Sequence, residues 1–228
     1  MTGFLGSIYY LLIFTKVGGM DPKIKIPVTT VNRLSLYLRV FSQVEKAGGE
    51  TISSRGLAQL TGINPAQLRK DLAYFGQFGR RGVGYSVSEL KKKIRNILGL
   101  DRVWNTAIFG VGRLGQALMM YPGFGDYSFK IVAAFDSDPE KIAWELDGIR
   151  IHDPADLKSV AGEMKIEIAI LAVPADAAQE LANQIVAAKV PAILNFAPAY
   201  LSVPPGTMLR NVDFASELEA LTYFLQKN

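Results

Sequence analysis

Three glycines, Gly110, Gly112 and Gly115, stand in G-x-G-x-x-G spacing within "AIFGVGRLGQAL", after an apolar strand-like run and at the start of a helix-like one. A chain that turns this tightly from strand into helix is committed to a βα unit. The first glycine permits the turn, the second lets the backbone approach a pyrophosphate, and the third lets the helix pack closely. The helix N-terminus attracts the anion. Asp136 ends the next strand-like run, 21 residues after Gly115, where a carboxylate accepts the ribose hydroxyls of NAD. The motif therefore assigns Gly110, Val111, Gly112, Arg113, Leu114, Gly115 and Asp136 to cofactor binding. Asp136 and Asp138 repel a 2′-phosphate, and no Arg follows them closely, which favours NAD or NADH over NADP. An adenine nucleotide or coenzyme A could occupy the same cradle.

From Trp104 onward strand-like and helix-like segments alternate, the pattern of a parallel sheet covered by helices. The strand runs begin at residues 106, 130, 166, 192 and 208. Helices are expected at "GRLGQALMMY", after Pro139, after Pro154, at "ADAAQELANQIVAAK" and at the C-terminus, where Leu218, Leu221 and Leu225 form a buried stripe.

Charge divides the chain in two. Residues 1–103 carry sixteen Lys and Arg against six Asp and Glu, and residues 104–228 carry nine against fifteen, so the net charge of +4 conceals a basic half and an acidic half. A basic half points to a polyanion, nucleic acid above all. Thr29 or Thr30 caps a helix with Val31, Leu34, Leu38, Phe41 and Val44 on one stripe, ending near residues 47–49. "SSRGLAQLTGINPAQLRKDLAYFG" then reads as a Ser-capped short helix, a turn at Gly62, and a second helix with Asn64 as cap and Pro65 at its first position. Two short helices across a glycine turn are a helix-turn-helix.

At 100° per residue, Leu68, Leu72 and Phe75 of the second helix face inward. Ala66, Lys70, Ala73 and Tyr74 face outward, with Gln67 and Arg69 on the flanks. Long donors beside small alanines suit the approach to base edges in a major groove. "FGRRGVGYSV" follows as a basic hairpin, a wing with Arg80 and Arg81 at its tip, able to reach phosphates or a narrow minor groove. The DNA-binding candidates are thus Gln67, Arg69, Lys70, Tyr74, Arg80 and Arg81. Ser86 and Glu89 form a capping box for a last helix, with Leu90, Ile94, Ile97 and Leu98 facing the core.

Other chemistries are excluded. With no cysteine there are no disulfides, thiolate nucleophiles or thiol redox sensors. One histidine, His152, cannot assemble a His-based metal site, so no metal is expected. The apolar run Phe4–Phe14 is short of the roughly 20 residues that span a bilayer and lacks a preceding basic region. Residues 1–22 read as an extension upstream of the fold, Met20 resembling a start. Tyr223 and Lys227 have the Y-x-x-x-K spacing of short-chain dehydrogenases, but in the last six residues, where a terminal amphipathic helix accounts for them. A dinucleotide site without proton-transfer machinery points to a ligand used as a signal. The competing readings are an NAD-dependent oxidoreductase and a coenzyme A or nucleotide-binding regulator.

The segments "LRKDLAYFGQFGRRGVGY", "GVGRLGQAL", "YPGFG", "FDSDPEK", "ILNFAP" and "NVDF" together resemble the bacterial redox-sensing repressor family Rex, over everything from about Lys25. The resemblance implies an α/β chain with a winged-helix N-terminal domain (residues 23–102), a Rossmann-like NAD(H)-binding domain (103–212) and a domain-swapped C-terminal helix (213–228). It implies a cytoplasmic homodimer, not an enzyme, that represses genes of NADH reoxidation and fermentation by binding palindromic operator DNA when NADH is scarce. NADH releases it. Arg39, Tyr121 and Asp213 match the family's switch residues, with Asp213 pairing with Arg39 in the DNA-competent dimer and with Tyr121 when NADH is bound. The resemblance further implies that Phe214 reaches the partner's nicotinamide pocket, and an apolar pocket built with Val173, Pro174 and Phe196 should prefer the neutral reduced ring to the cationic oxidised one.

Overall fold

The computed structural model describes residues 26–76, 78, 79, 84–126 and 128–227. The N-terminal extension through residue 25 and the expected wing tip, Arg80 and Arg81, lie outside the described residues. The chain forms two compact units that divide between Arg102 and Val103.

The first unit opens with α1 (Val28–Lys46). Its N-cap is Pro27, not Thr29 or Thr30 as the sequence predicts. Pro27 at φ −62° presents its carbonyl to the amides of Thr30 and Val31. The first turn is thereby satisfied by backbone, and the Thr30 hydroxyl is free to turn inward, where it is buried. Leu34, Tyr37, Leu38 and Phe41 bury one face of α1. After β1 (Thr51–Ile52) come α2 (Ser54–Thr61) and α3 (Pro65–Ala73), the helix-turn-helix. Ser53 caps α2 by accepting from the Gly56 amide, and Asn64 caps α3 by accepting from the Ala66 amide at 2.7 Å. Gly62, at φ 70°, makes the left-handed turn between them that a side chain would resist. Further along the chain, β2 (Tyr85–Ser86) pairs antiparallel with β1, a strand partner that two residues are too few to announce in sequence. α4 (Val87–Ile97) follows, with Ser86 accepting from the Glu89 amide and Val87, Leu90 and Ile94 buried.

The second unit holds β3 (Trp104–Phe109), α5 (Arg113–Met119), the short α6 (Gly123–Asp126), β4 (Phe129–Phe135), β5 (Glu145–Leu146) and β6 (Ile149–His152). α7 (Leu157–Glu163), β7 (Ile168–Leu171), α8 (Ala175–Ala187), β8 (Ala192–Asn195), β9 (Met208–Asn211) and α9 (Phe214–Leu225) complete it. The sheet order is β5-β6-β4-β3-β7-β8-β9, parallel except for the β5 edge. Without that edge it is the 3-2-1-4-5-6 order of the doubly wound dinucleotide fold, with the chain reversing direction at β3 and β7. Alternate residues of the central strands serve two cores: Ala107 and Phe109 pack with α7 and α8, and Ile108 packs on the α5 side with Met119.

One expectation fails here. No helix follows Pro139. Asp138 starts a single turn, accepting from the Lys141 and Ile142 amides, and Ala143 at φ 69° ends it and leads into the β5–β6 hairpin. A left-handed residue five positions into the segment is incompatible with helix propagation. The stripe of α9, expected to be buried between chains, is not covered within its own chain. Leu218, Leu221 and Leu225 are 59–75% exposed, and Phe214, Tyr223 and Phe224 are 53–62% exposed.

Candidate nucleic-acid and dinucleotide sites

In the N-terminal unit α3 is held from beneath by a carboxylate. Asp71 is wholly buried and lies on the inner face with Leu68 and Leu72. Arg33 of α1 grips it bidentately, Nε to Oδ2 at 2.5 Å and Nη2 to Oδ1 at 2.7 Å. The Tyr37 hydroxyl donates to Oδ2 at 2.8 Å, the Thr30 hydroxyl to Oδ1 at 3.2 Å, and the Gln67 amide nitrogen to Oδ1 at 2.8 Å. Burial alone would raise the Asp71 pKa, but these donors outweigh it and hold the carboxyl below its usual range. Burial, then donation to Asp71, pushes Tyr37 up. Sequence reading missed this cluster, although a signal existed. An acid at helical spacing between two inward leucines must find a cation, and Arg33 stands one turn of helix from Tyr37.

A carboxyl whose folded pKa lies below the ordinary 3.8 adds stability at neutral pH that is lost as the pH falls through and below that value. Melting of the N-terminal unit is therefore expected to fall steeply below about pH 4. Asp71→Asn should lower the neutral-pH stability by about 2 kcal/mol and flatten that slope, as read by circular dichroism.

On the outward side, Ala66, Arg69, Lys70 and Ala73 are exposed. Arg69 Nη1 reaches the Ser54 hydroxyl at 3.3 Å, linking α3 to α2. Tyr74 is half-buried at the C-cap, edge-on to Phe75. Gln67 is half-buried, its amide turned to Asp71 rather than wholly outward. Arg39 is exposed on α1.

In the second unit the C-terminal ends of the strands gather the residues assigned to the cofactor. Gly110 leaves β3 at φ 92°, and a Cβ there would lie 2.5 Å from the Ala172 carbonyl and 2.8 Å from Val173. Only glycine lets the loop pass so close to the end of β7, which positions Val173 and Pro174 beside it. A Cβ on Gly115 would lie 1.8 Å from the Gly110 oxygen, so the third glycine is where α5 touches the loop. A Cβ on Gly112 would meet nothing, which leaves the backbone open on that side. Arg113 and Leu114 are exposed on the first turn of α5.

Asp136 follows β4 and is nearly buried. Its Oδ2 accepts from the Val111 amide at 2.7 Å and from Lys141 at 3.2 Å, and its Oδ1 accepts from the Asp138 amide at 2.9 Å. Burial would raise its pKa, but the two backbone amides and Lys141 hold it down. The residue chosen for a ribose thus also locks the glycine loop, and of roughly four acceptor directions one remains for a hydroxyl. Lys141, unnoticed in the sequence, pairs with Asp138 as well, at 3.3 Å. Two carboxylates against one ammonium leave the corner net negative.

At the end of β8 the buried Asn195 is the other hub that sequence reading missed. Its amide nitrogen donates to the carbonyls of Ala197 and Ala199 and to the Asn211 side chain, and its Oδ1 accepts from the Ala197 amide. It thereby fixes the loop carrying Phe196 to β9, whose continuation is Asp213 and Phe214. The Phe214 ring lies 6.1 Å from Phe196 of the same chain. Asp213 caps α9, accepting from the amides of Ala215 and Ser216 and from the Ser216 hydroxyl. Those Ser216 bonds lower its pKa. Tyr121 is half-exposed and edge-on to Phe124. The Y-x-x-x-K pair does meet, Lys227 Nζ donating to the Tyr223 hydroxyl, but at the exposed C-terminal end of α9, with Lys227 just beyond the helix. His152 ends β6 tilted against Phe135, and burial lowers its pKa. Among the described residues no group of His, Cys, Asp and Glu could hold a metal, and no helix is long and apolar enough to cross a membrane.

A helix-turn-helix unit joined to a doubly wound unit with a glycine cradle is the build of a ligand-controlled transcriptional regulator. Residues 25–73 match the family described as "Putative DNA-binding protein N-terminus", and residues 101–199 match "CoA binding domain". The chain is 48% identical over 200 residues to the redox-sensing transcriptional repressor Rex of Desulfitobacterium hafniense (strain DSM 10664 / DCB-2), covering 88% of this chain and 95% of that one. It is 45% identical to Rex of Syntrophobacter fumaroxidans (strain DSM 10017 / MPOB), covering 88% and 96%. Among solved structures it resembles the Rex-family repressor RSP in complex with β-NAD+ and operator DNA, with TM-score 0.85 and 36% identity over 90% of this chain and 94% of that one. RSP in complex with β-NADH gives TM-score 0.82 and 34% identity over 90% and 96%. The chain belongs to the Rex family of redox-sensing transcriptional repressors. Its relatives are repressors, not enzymes, despite the dinucleotide fold.

Proposed function

We propose that this repressor works in the cytoplasm as a homodimer that holds a palindromic operator when NADH is scarce and leaves it when NADH binds. The observation that carries the reading is a glycine loop pinned by its ribose-side carboxylate, Val111 amide to Asp136, on the same chain as a helix-turn-helix braced by Asp71. α3 enters the major groove, where Lys70 and Arg69 face base edges or phosphates and Gln67 and Tyr74 lie at the flanks. Arg80 and Arg81 supply the wing's charge. Lys70→Ala should weaken operator binding by about 1–3 kcal/mol and leave NADH affinity unchanged. Calorimetry with NADH beside fluorescence anisotropy with DNA reads both numbers.

The dinucleotide lies across the strand ends, its pyrophosphate over Gly110–Gly115 and its adenine ribose at Asp136. The net negative corner of Asp136, Asp138 and Lys141 disfavours the phosphorylated ribose of NADP or of coenzyme A. The apolar Val173, Pro174, Phe196 and Phe214 receive the nicotinamide. A neutral reduced ring enters such surroundings at less cost than a cationic oxidised one, and only this differential affinity can move the dimer between states. Shifting a two-state equilibrium from mostly competent to mostly incompetent takes about 5 kcal/mol, shared here between two pockets. α9 lies on the partner, burying Leu218, Leu221 and Leu225.

Asp213 is assigned the switch, facing Arg39 in one state and Tyr121 in the other. Because Asp213 is also a cap, Asp213→Ala mixes two losses, whereas asparagine caps equally well and removes only the charge. Asp213→Asn should keep NADH binding while the factor by which NADH weakens DNA binding, about 5- to 150-fold in such couplings, falls towards one. Unaltered NADH-driven release in that variant refutes the assignment. The overall reading is tested by a gel shift on an AT-rich palindromic duplex, with and without NADH and NAD+. Retardation relieved by NADH is expected, and no retardation under either condition overturns it.

A further inference from the structure

Gln67 and Asp71 stand one turn apart on α3, and the bond between them fixes more than the packing of the helix. Gln67 donates through Nε2 to Asp71 Oδ1 at 2.8 Å, and the same oxygen takes Arg33 at 2.7 Å and Thr30 at 3.2 Å. Every other polar group around this carboxylate is a donor, Tyr37 included, so it meets its neighbours as an acceptor alone. The low pKa of Asp71, held down by Arg33, Tyr37 and Gln67 against its burial, keeps it ionised at neutral pH. An ionised carboxylate admits only one orientation of the amide facing it. The NH2 of Gln67 turns inward and its carbonyl turns away.

An amide nitrogen carries two hydrogens. One of them serves Asp71; when that is the hydrogen anti to the carbonyl, the other lies on the same edge as the carbonyl oxygen. Gln67 is half-buried, so part of its side chain remains accessible, and the proposal takes that part to include this edge. It offers one acceptor and one donor side by side, the pattern that meets the N6 amino group and N7 of adenine. Arg69 and Lys70 beside it can only donate, and Ala66 and Ala73 do neither. Without Asp71 the amide could turn over or rotate, and each wrong setting spoils the pair.

We propose that Asp71 is a specificity-determining positioning residue of the operator interface: it sets the Gln67 amide so that α3 presents an acceptor–donor edge to one adenine in each half-site. This rests on the reading that α3 enters the groove, and it goes beyond that reading by assigning a base preference to a side chain that no DNA can touch. The cluster has a second consequence. Arg33 and Tyr37 reach Asp71 from α1, so the helix that carries Arg39 and the amide that reads the base share one buried anchor.

The experiment uses the full chain. The wild type first selects duplexes from a randomised pool, and the enriched palindrome is then substituted symmetrically at every half-site position. Dissociation constants are measured for the wild type, Gln67→Ala, Asp71→Asn and the double variant, with circular dichroism confirming the fold of each. The wild type should prefer A·T at one position by about tenfold or more. Gln67→Ala and Asp71→Asn should each lose that preference while keeping those elsewhere in the half-site, and the double variant should lose no more. A folded Asp71→Asn that retains the preference, or that weakens binding equally at all positions, overturns the proposal by reducing Asp71 to a packing role. Should Asp71→Asn fail to fold, Gln67→Glu asks the same question. A carboxylate cannot face Asp71 and can only accept, so the preference should move from A·T towards C·G, and an unchanged A·T preference overturns the proposal. A wild type that enriches no duplex sinks the groove-reading assignment itself, which distinguishes the two failures.

Discussion

A chain ending at Val212 is expected to fold, to bind NADH weakly or not at all, and to lose operator affinity by about a hundredfold to ten-thousandfold. The expectation follows from where the apolar surface lies. Every described residue from Asp213 onward is exposed, so α9 adds little to the stability of its own unit. Yet α9 carries Phe214, Leu218, Leu221, Phe224 and Leu225, each at least 59% exposed, a run of apolar surface that soluble chains cover with a partner. If a second copy covers it, removing α9 separates the two reading helices. Each half-site, about 35 Å from its mate or a multiple of that, is then bound singly without the gain from tethering. Sedimentation should show a monomer. The milder Leu218→Glu with Leu221→Glu should do the same without shortening the chain, and a dimer of unchanged operator affinity would refute the role of α9.

Gly115→Ala should cost at least about a hundredfold in NADH affinity, and operator binding should persist and become indifferent to NADH. The added methyl carbon would stand 1.8 Å from the Gly110 oxygen. The loop cannot yield easily, because the Gly110 amide is bonded to the Phe135 carbonyl at 2.8 Å and the Val111 amide to Asp136 at 2.7 Å. Either α5 tilts away or the loop leaves its strand ends, and overpacking of this kind costs about 1–3 kcal/mol before any ligand contact is lost. Since each 1.4 kcal/mol is tenfold, the effect is measurable by calorimetry. A variant with normal NADH affinity would remove the glycine loop from the dinucleotide site.

Much of this architecture was legible because it rests on short-range rules. Asn64 and Pro65 mark the start of α3, Ser86 and Glu89 that of α4, and the glycine spacing marks the β3–α5 turn. Each is a local solution to unsatisfied amides or to backbone crowding, so it is written within a few residues. The Pro139 segment misled because Asp138 opens a genuine helical turn, and nothing local announces that Ala143 will adopt φ 69°. Thr30 resembles a cap, but its hydroxyl serves Asp71, 41 residues away. The site hubs were the least legible. Asp71, Lys141 and Asn195 act through partners that the fold alone brings near, and a polar residue bears no mark of which distant donor will meet it. α9 is the reverse case. Its stripe was plain in sequence, yet whether a stripe packs on its own chain or on another is a property of the assembly.

We propose that a reduced, uncharged nicotinamide, and not the dinucleotide as such, drives the repressor from DNA. A fluorescent operator complex titrated with NADH, and separately with NAD+, separates the two by anisotropy. NADH should release the DNA at concentrations where NAD+ leaves the complex intact, and release at equal concentrations, or by neither, would refute the proposal.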